Sequence, residues 1–284
     1  MKKYAKALVL LLLAVVLLSV GAHALAAAEP KEKTLEETNT YEYDNLKIQI
    51  DRWCYAFKNH DLRFFVVNLY LSDPAQMQTA FAGEAYSKRN VEATSDIAAR
   101  HDAVLATNGD YYNYKDDYGM IIRNGVLYRD AASTRDHLLV YADGRFEGLY
   151  AADYVKGEGQ KYIDAGVVQS FAFGPLLVDH GQITELPDKY IVSTDDSIRE
   201  PRTAIGQVDN THYVLIVADG RRNDWSEKGM TLQEMQKIFV EQGCQVAYNL
   251  DGGGSTTLIF EGEKLNRSSG SREREVSDIV YFTK

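Results

Sequence analysis

The stretch Tyr248-Asn-Leu-Asp-Gly-Gly-Gly-Ser-Thr-Thr257 sets a carboxylate, Asp251, directly before three glycines, Gly252, Gly253 and Gly254, and three hydroxyls, Ser255, Thr256 and Thr257. Glycine loses more entropy on folding than any other residue, so a triplet inside an ordered domain needs a compensating use. A tight turn with Asp251 as turn-former would need only one. Three bare peptide units can instead bring backbone N–H groups against an anion. The pattern points to a sugar or a phosphate seated on the loop, with Asp251 facing it.

Three further stretches carry polar residues where apolar runs end. Thr107-Asn-Gly-Asp-Tyr-Tyr112 holds Asn108, Gly109, Asp110 and Tyr111. Arg199-Glu-Pro-Arg202 holds two arginines beside a proline, and Ala218-Asp-Gly-Arg-Arg222 holds Asp219, Arg221 and Arg222. Taken singly, each reads equally as loop polarity, a solvated arginine or a hairpin turn. Together with Asp251 they suggest strand ends converging on one edge of a sheet, where ligands commonly bind. Other arrangements are excluded. Ser255 lacks the glycine spacing of a nucleophile elbow, there is no phosphate-binding P-loop or dinucleotide fingerprint, and no histidine sits in a zinc-type cluster. No cofactor is expected. A divalent cation stays open through Asp116 and Asp117, although no calcium-loop pattern is present.

The elements that must position these residues are mainly strands. Met120–Asp130 and His137–Tyr150 have hairpin form around Asn124-Gly125 and Asp143-Gly144, where a type I′ turn needs positive φ at both central residues. Leu46–Phe57 and Leu62–Leu71 read as adjacent strands, the second apolar enough to be covered on both faces. Short helices are expected after Ser72-Asp73-Pro74 and over Val91–His101. The clearest helix begins at Thr231, with a Thr-x-x-Glu capping box to Glu234 and Leu232, Met235, Ile238 and Phe239 on one face. With the strands before and after it, this helix makes a βαβ-like unit leading into the glycine triplet. The expected fold is α+β: a mixed, mostly antiparallel, strand-rich sheet with a few packed helices.

Residues 1–28 read as a secretory signal peptide. Lys2, Lys3 and Lys6 precede an apolar run shorter than a membrane-spanning helix, and small-residue cleavage sites follow. An uncleaved anchor is the alternative. With cleavage, no stable membrane span is expected, and the protein is exported to a secreted, cell-wall or periplasmic location. Residues 29–40 are polar and read as a flexible spacer, leaving 41–284 as a single domain. The formal net charge is −10, and without the three leader lysines 28 basic residues face 41 acidic ones, or −13. That argues against nucleic acid as a partner, so an anionic ligand must be held by local arginines. Cys54 and Cys244 could be bridged or separately buried.

On Asn108-Gly-Asp-Tyr-Tyr112, Phe171–Gly181, Pro201-Arg-Thr-Ala-Ile-Gly206, Val217-Ala-Asp-Gly-Arg221, Gly229–Thr257 and Ser271–Phe282, the chain resembles the phosphodiester glycosidase family, from about Asn108 to Tyr281. The resemblance implies hydrolysis of a sugar joined through C1 to a phosphodiester, giving a free sugar and a phosphomonoester. The family often has a small residue where Asp110 stands, and a Phe pair where Tyr111 and Tyr112 stand.

A phosphate leaving group, with a second pKa near 6, departs with little protonation. Such an enzyme needs cations for the diester and one carboxylate for the oxocarbenium-like centre. The implied assignment gives the anomeric centre to Asp251 and the phosphate to Arg202, Arg221 and the amides of Gly252, Gly253 and Gly254. Asn108 and Asn249 would take sugar hydroxyls. Asp110 is a further catalytic candidate, with Gly109, Ser255, Thr256, Glu273 and Arg274 around the substrate. The implied partner is a phosphorylated glycan of the cell envelope or exterior. The competing readings are a non-catalytic binder of anionic envelope glycan and an ordinary glycosidase with no phosphate preference.

Overall fold

The computed structural model describes residues 30–112, 117–221 and 228–284; the expected leader, Asn113–Asp116 and Arg222–Glu227 lie outside them. An eight-stranded sheet runs in the order Glu32–Glu42, Leu46–Ala56, Asp61–Leu71, His212–Ala218, Arg202–Asp209, Val246–Asn249, Leu176–Asp179, Gln182–Ile183. Two five-stranded sheets oppose it. One has the order Phe146–Leu149, His137–Tyr141, Val167–Phe171, Met120–Arg123, Val126–Asp130. The other has the order Glu263–Lys264, Leu258–Phe260, Leu105–Asn108, Asp278–Phe282, Met77–Phe81.

Strand Asp61–Leu71 shows why the layers form. Phe65, Val67, Leu69 and Leu71 enter the core between the sheets. Leu62, Phe64 and Val66 point the other way, into a second core under helix Leu232–Glu241. Period-two alternation of apolar residues on both faces is what a doubly covered strand requires. Thr231 accepts the Glu234 N–H and Glu234 accepts the Thr231 N–H, as the capping box predicts. Burying the Phe239 side chain of this helix against the sheet stabilises the pair by roughly 1.5–3 kcal/mol. Helices Thr94–Arg100 and Gly159–Asp164 cover the outer faces of the two smaller sheets.

The strand-rich α+β architecture stands as read, with differences in detail. Every ladder among the described residues is antiparallel, so the sheets are not mixed. His212–Ala218 and Val246–Asn249 do run parallel on either side of the helix, but Arg202–Asp209 lies between them and pairs with both. The Asn124-Gly125 turn has both residues at positive φ, whereas around Asp143-Gly144 only the glycine is left-handed.

The expected flexible spacer is overturned, because Glu32–Glu42 is an eleven-residue strand paired along Leu46–Ala56. Its polar composition reflects an edge strand with both faces in solvent, and charged edge residues guard against pairing with other chains. Cys54 and Cys244 form no disulfide. No helix of the described residues is long and apolar enough to cross a membrane.

Candidate active site

The site lies where the eight-stranded sheet meets the end of strand Leu105–Asn108. Asp251 donates its N–H to the Gly109 carbonyl at 3.2 Å. Asn108 Nδ2 donates to the Asp251 carbonyl at 2.6 Å. Asn108 Oδ1 accepts from Thr203 Oγ1 at 2.8 Å and from the Thr257 N–H at 3.2 Å. One amide side chain thus ties together both flanks of the loop and the neighbouring strand.

Each glycine of the triplet has its own reason. A Cβ on Gly252 would meet the Pro201 carbonyl at 2.8 Å. Gly253 sits at φ 60°, a conformation that disfavours other residues. A Cβ on Gly254 would meet Arg274 Cδ at 3.0 Å. The anion nest expected of all three amides is not formed. The Gly252 N–H donates to Asp251 Oδ1 at 2.8 Å and the Gly253 N–H to the Pro201 carbonyl at 2.8 Å. Among the described residues, only the Gly254 amide of the three has no protein acceptor.

Asp251 opens into a cavity of about 590 Å³ lined in part by Tyr111, Ser255, Arg272, Glu273 and Arg274. Its carboxyl lies deep enough for burial to push its pKa up to about 6, against the opposing pull of the Ser255 hydroxyl, the Gly252 N–H and the Arg274 charge. Asp110 adds a like charge that pushes the same way as burial. Arg221 lies beside Gly253, 3.3 Å from where a Cβ there would be, and is ion-paired with Glu200.

Several expected substrate contacts are turned elsewhere. Asn108 and Asn249 are fully buried and cannot reach a sugar in this conformation. Asn249 Nδ2 donates to the Gly174 carbonyl at 2.8 Å. Arg202 is 2% exposed and donates to the carbonyls of Met230 and Ser193. Burial, with repulsion from Arg221 added to it, pushes the Arg202 guanidinium down to about 10, while Glu200 opposes the shift. Glu273 accepts from the N–H and hydroxyl of Ser95, both at 2.9 Å, so it caps helix Thr94–Arg100 from across the cavity rim. Arg199 is forked onto Glu234 at 2.6 and 2.7 Å. Thr256 is buried, and its hydroxyl has no hydrogen-bond partner among the described residues.

Asp110 does not face the cavity. It is 2% exposed, accepts the Ala172 N–H at 2.8 Å, and lies 3.7 Å from Arg123 Nη2. The Tyr112 hydroxyl donates inward to the Ser277 carbonyl at 3.3 Å, leaving Tyr111 as the tyrosine of the pair that lines the cavity. Arg123 and Asp278 were not singled out in the sequence. Their signal was a charge at the end of each of two otherwise apolar strands, Met120–Arg123 and Asp278–Phe282, since a charge that is buried there demands an opposite partner. Among the described residues no group of three or more His, Cys, Asp or Glu could hold a metal ion. Asp117 pairs with Lys88 at 2.8 Å, and Asp116 lies outside the described residues.

A family model for phosphodiester glycosidases matches residues 101–283. An uncharacterized SPbeta prophage-derived protein of Bacillus subtilis is 32% identical over 204 residues, covering 70% of this chain and 30% of that protein. Human N-acetylglucosamine-1-phosphodiester alpha-N-acetylglucosaminidase is 32% identical over 126 residues, covering 41% of this chain and 24% of that protein. The chain therefore spans less than a third of the length of these two relatives. The catalytic domain of the zebrafish N-acetylglucosamine-1-phosphodiester alpha-N-acetylglucosaminidase, solved as auto-inhibited by its pro-peptide, shares the fold. Its TM-score is 0.67 at 18% identity, over 93% of this chain and 94% of that one. With most of its length matched, including the site loop, this chain belongs to the phosphodiester glycosidase family.

Proposed function

We propose that this domain hydrolyses the bond between C1 of a sugar and a phosphodiester, releasing the free sugar and a phosphomonoester. The observation that carries the reading is the pairing at the cavity: Asp251, its pKa raised to about 6, with Arg274 close enough to lower it. A carboxylate alone would repel a phosphate, and an arginine beside it makes room for both. As the C1–O bond breaks, its electron pair leaves on the phosphate oxygen, and positive charge gathers at C1. Asp251, ionised, either bonds to C1, giving a glycosyl ester that water then hydrolyses to return the carboxylate and free the sugar, or takes a proton from the water that attacks C1 directly. Arg274 and the Gly254 N–H stabilise the charge developing on phosphate. The Ser255 hydroxyl beside the Asp251 carboxyl favours its ionised form.

Tyr111 is placed to stack on or hydrogen-bond the sugar. Arg202 is buried and contacts the diester only if the segment covering it moves, and Arg221 is exposed beside Gly253 but ion-paired with Glu200, so both stand second to Arg274 in this assignment. The basic and apolar leader supports export, and a phosphorylated glycan of the envelope or exterior is the substrate class in keeping with that. The test is incubation of the chain from Glu29 onward with sugar-1-phosphodiesters, N-acetylglucosamine first, followed by phosphorus NMR. Conversion of diester to monoester with release of reducing sugar, lost in Asp251→Asn, is the expected result. Binding of phosphorylated glycan with no conversion of any sugar would replace hydrolysis by the binding role.

A further inference from the structure

Behind Asp251 two carboxylates share one guanidinium. Asp278 is fully buried and accepts on Oδ2 from Arg123 Nε at 2.9 Å and Nη2 at 2.6 Å. Its Oδ1 accepts the Asp110 N–H at 2.8 Å. The Asp110 carboxyl takes the Ala172 N–H at 2.8 Å and the Tyr111 N–H at 3.1 Å, and stands 3.7 Å from Arg123. The Gly109 peptide is gripped between them. Its N–H donates to the Asp278 carbonyl at 3.0 Å, its carbonyl accepts the Asp251 N–H, and a Cβ there would strike Asp278 Oδ1 at 2.5 Å. The chain from Arg123 to the Asp251 peptide is thus continuous.

We propose that Asp110, Arg123 and Asp278 act as one buried ionic network that positions Asp251 and sets the electrostatic field at its carboxyl. Burial pushes the Asp110 carboxyl up and the Asp278 carboxyl up to about 6, with Arg123 holding both down. When both are ionised, two carboxylates against one guanidinium leave a surplus negative charge, which burial makes hard to screen. A like charge behind Asp251 keeps its carboxyl more basic than burial alone would, which suits a nucleophile or base working near neutral pH. The other groups acting on Asp251 are Ser255, the Gly252 N–H and Arg274. Those acting on Asp110 are Arg123 and Arg129, and Tyr112, Tyr190 and Tyr248 feel its charge. Asp110 and Asp278 are positioning residues, since neither lines the cavity.

The experiment is a carbon-13 carboxyl titration of Asp251 in the full chain, with its signal assigned by loss in Asp251→Asn. Asp110→Asn keeps an acceptor for one of the two N–H groups its carboxyl holds and leaves Arg123 paired one-to-one with Asp278, so the variant is expected to fold with some loss of stability. The Asp251 midpoint should fall by about half a pH unit or more. The acid limb of diester hydrolysis should fall with it at unchanged KM, a part that rests on the proposed function. Asp278→Asn is the second variant and should move the midpoint the same way. A midpoint unmoved in both folded variants would overturn the network's role and leave it purely structural. The titration needs no substrate, so failure of the wild type to hydrolyse any diester would sink the proposed reaction without deciding the network.

Discussion

Asn108 Nδ2 meets the Asp251 carbonyl at 2.6 Å across 143 positions of sequence. The same side chain receives the Thr203 hydroxyl and the Thr257 N–H, so it replaces a stretch of backbone ladder where two sheets meet. Asn108→Ala would strand two buried donors, each costing about 1–3 kcal/mol when left unpaired. The expected outcome in urea unfolding is a loss of about 2 kcal/mol or more, with a fall in turnover because the Asp251 loop loses its anchor. An unchanged midpoint would mean water or a shifted loop satisfies those donors.

Asp251 should set opposing trends in activity and stability. Its carboxyl has a pKa of about 6 in the fold against an ordinary value of 3.8. Between those values the folded state holds a proton that the unfolded chain has released, so this group's contribution to stability declines as pH rises through the window. Turnover that needs the ionised form rises over the upper part of the same window. Asp251→Asn should therefore reduce turnover by roughly a thousandfold or more. It should also make the fold more stable than wild type at pH 7.5, by on the order of 2 kcal/mol. At pH 4 the stability advantage should vanish. Thermal melts of both proteins at the two pH values would show it, and equal gaps at both would count against a raised pKa.

The glycines separate conformation from contact. Gly253→Ala forces a side chain into the left-handed region, costing about 1–2 kcal/mol of stability. Gly254 carries no such φ, and the three atoms nearest an added methyl there all belong to the Arg274 side chain, with Cδ at 3.0 Å. Gly254→Ala should leave the melting temperature nearly unchanged while raising KM severalfold, because Arg274 must swing away from the phosphate position. If KM holds and stability falls instead, Arg274 is not the phosphate ligand.

Local chemistry explains which features could be read from sequence. The Thr231–Glu234 box, the Asn124-Gly125 turn and the two-faced strand Asp61–Leu71 are each dictated by residues close in the chain, and all three form as expected. Asp251 was legible because a glycine triplet after a carboxylate is locally costly. The roles of Asn108, Asp110 and Asn249 were not, because what uses up a polar side chain is decided by partners far away in sequence. Asp110 reads in the sequence as a catalytic candidate beside a turn, yet its neighbours are Ala172 and Arg123. Polarity alone could not separate the edge strand Glu32–Glu42 from a spacer, since both face water.

That edge strand gives the last prediction. Glu36 pairs with Arg52 at 3.2 Å and Arg63 at 3.4 Å, both on the strands it shields. Removing residues 29–42 would bare the full edge of Leu46–Ala56, whose Ile48 and Ile50 belong to the central core. The new edge carries Lys47 and Arg52 but loses the acidic cover, and an open ladder of N–H and C=O groups invites a second chain. A chain beginning at Tyr43 should therefore melt several degrees lower than one beginning at Glu29 and elute as dimers or larger species in size-exclusion chromatography. A flexible spacer would change neither quantity. Because the strand lies at the far edge of the sheet from Val246–Asn249, the turnover of the monomer fraction should survive the truncation, which separates a role in solubility from a role in catalysis.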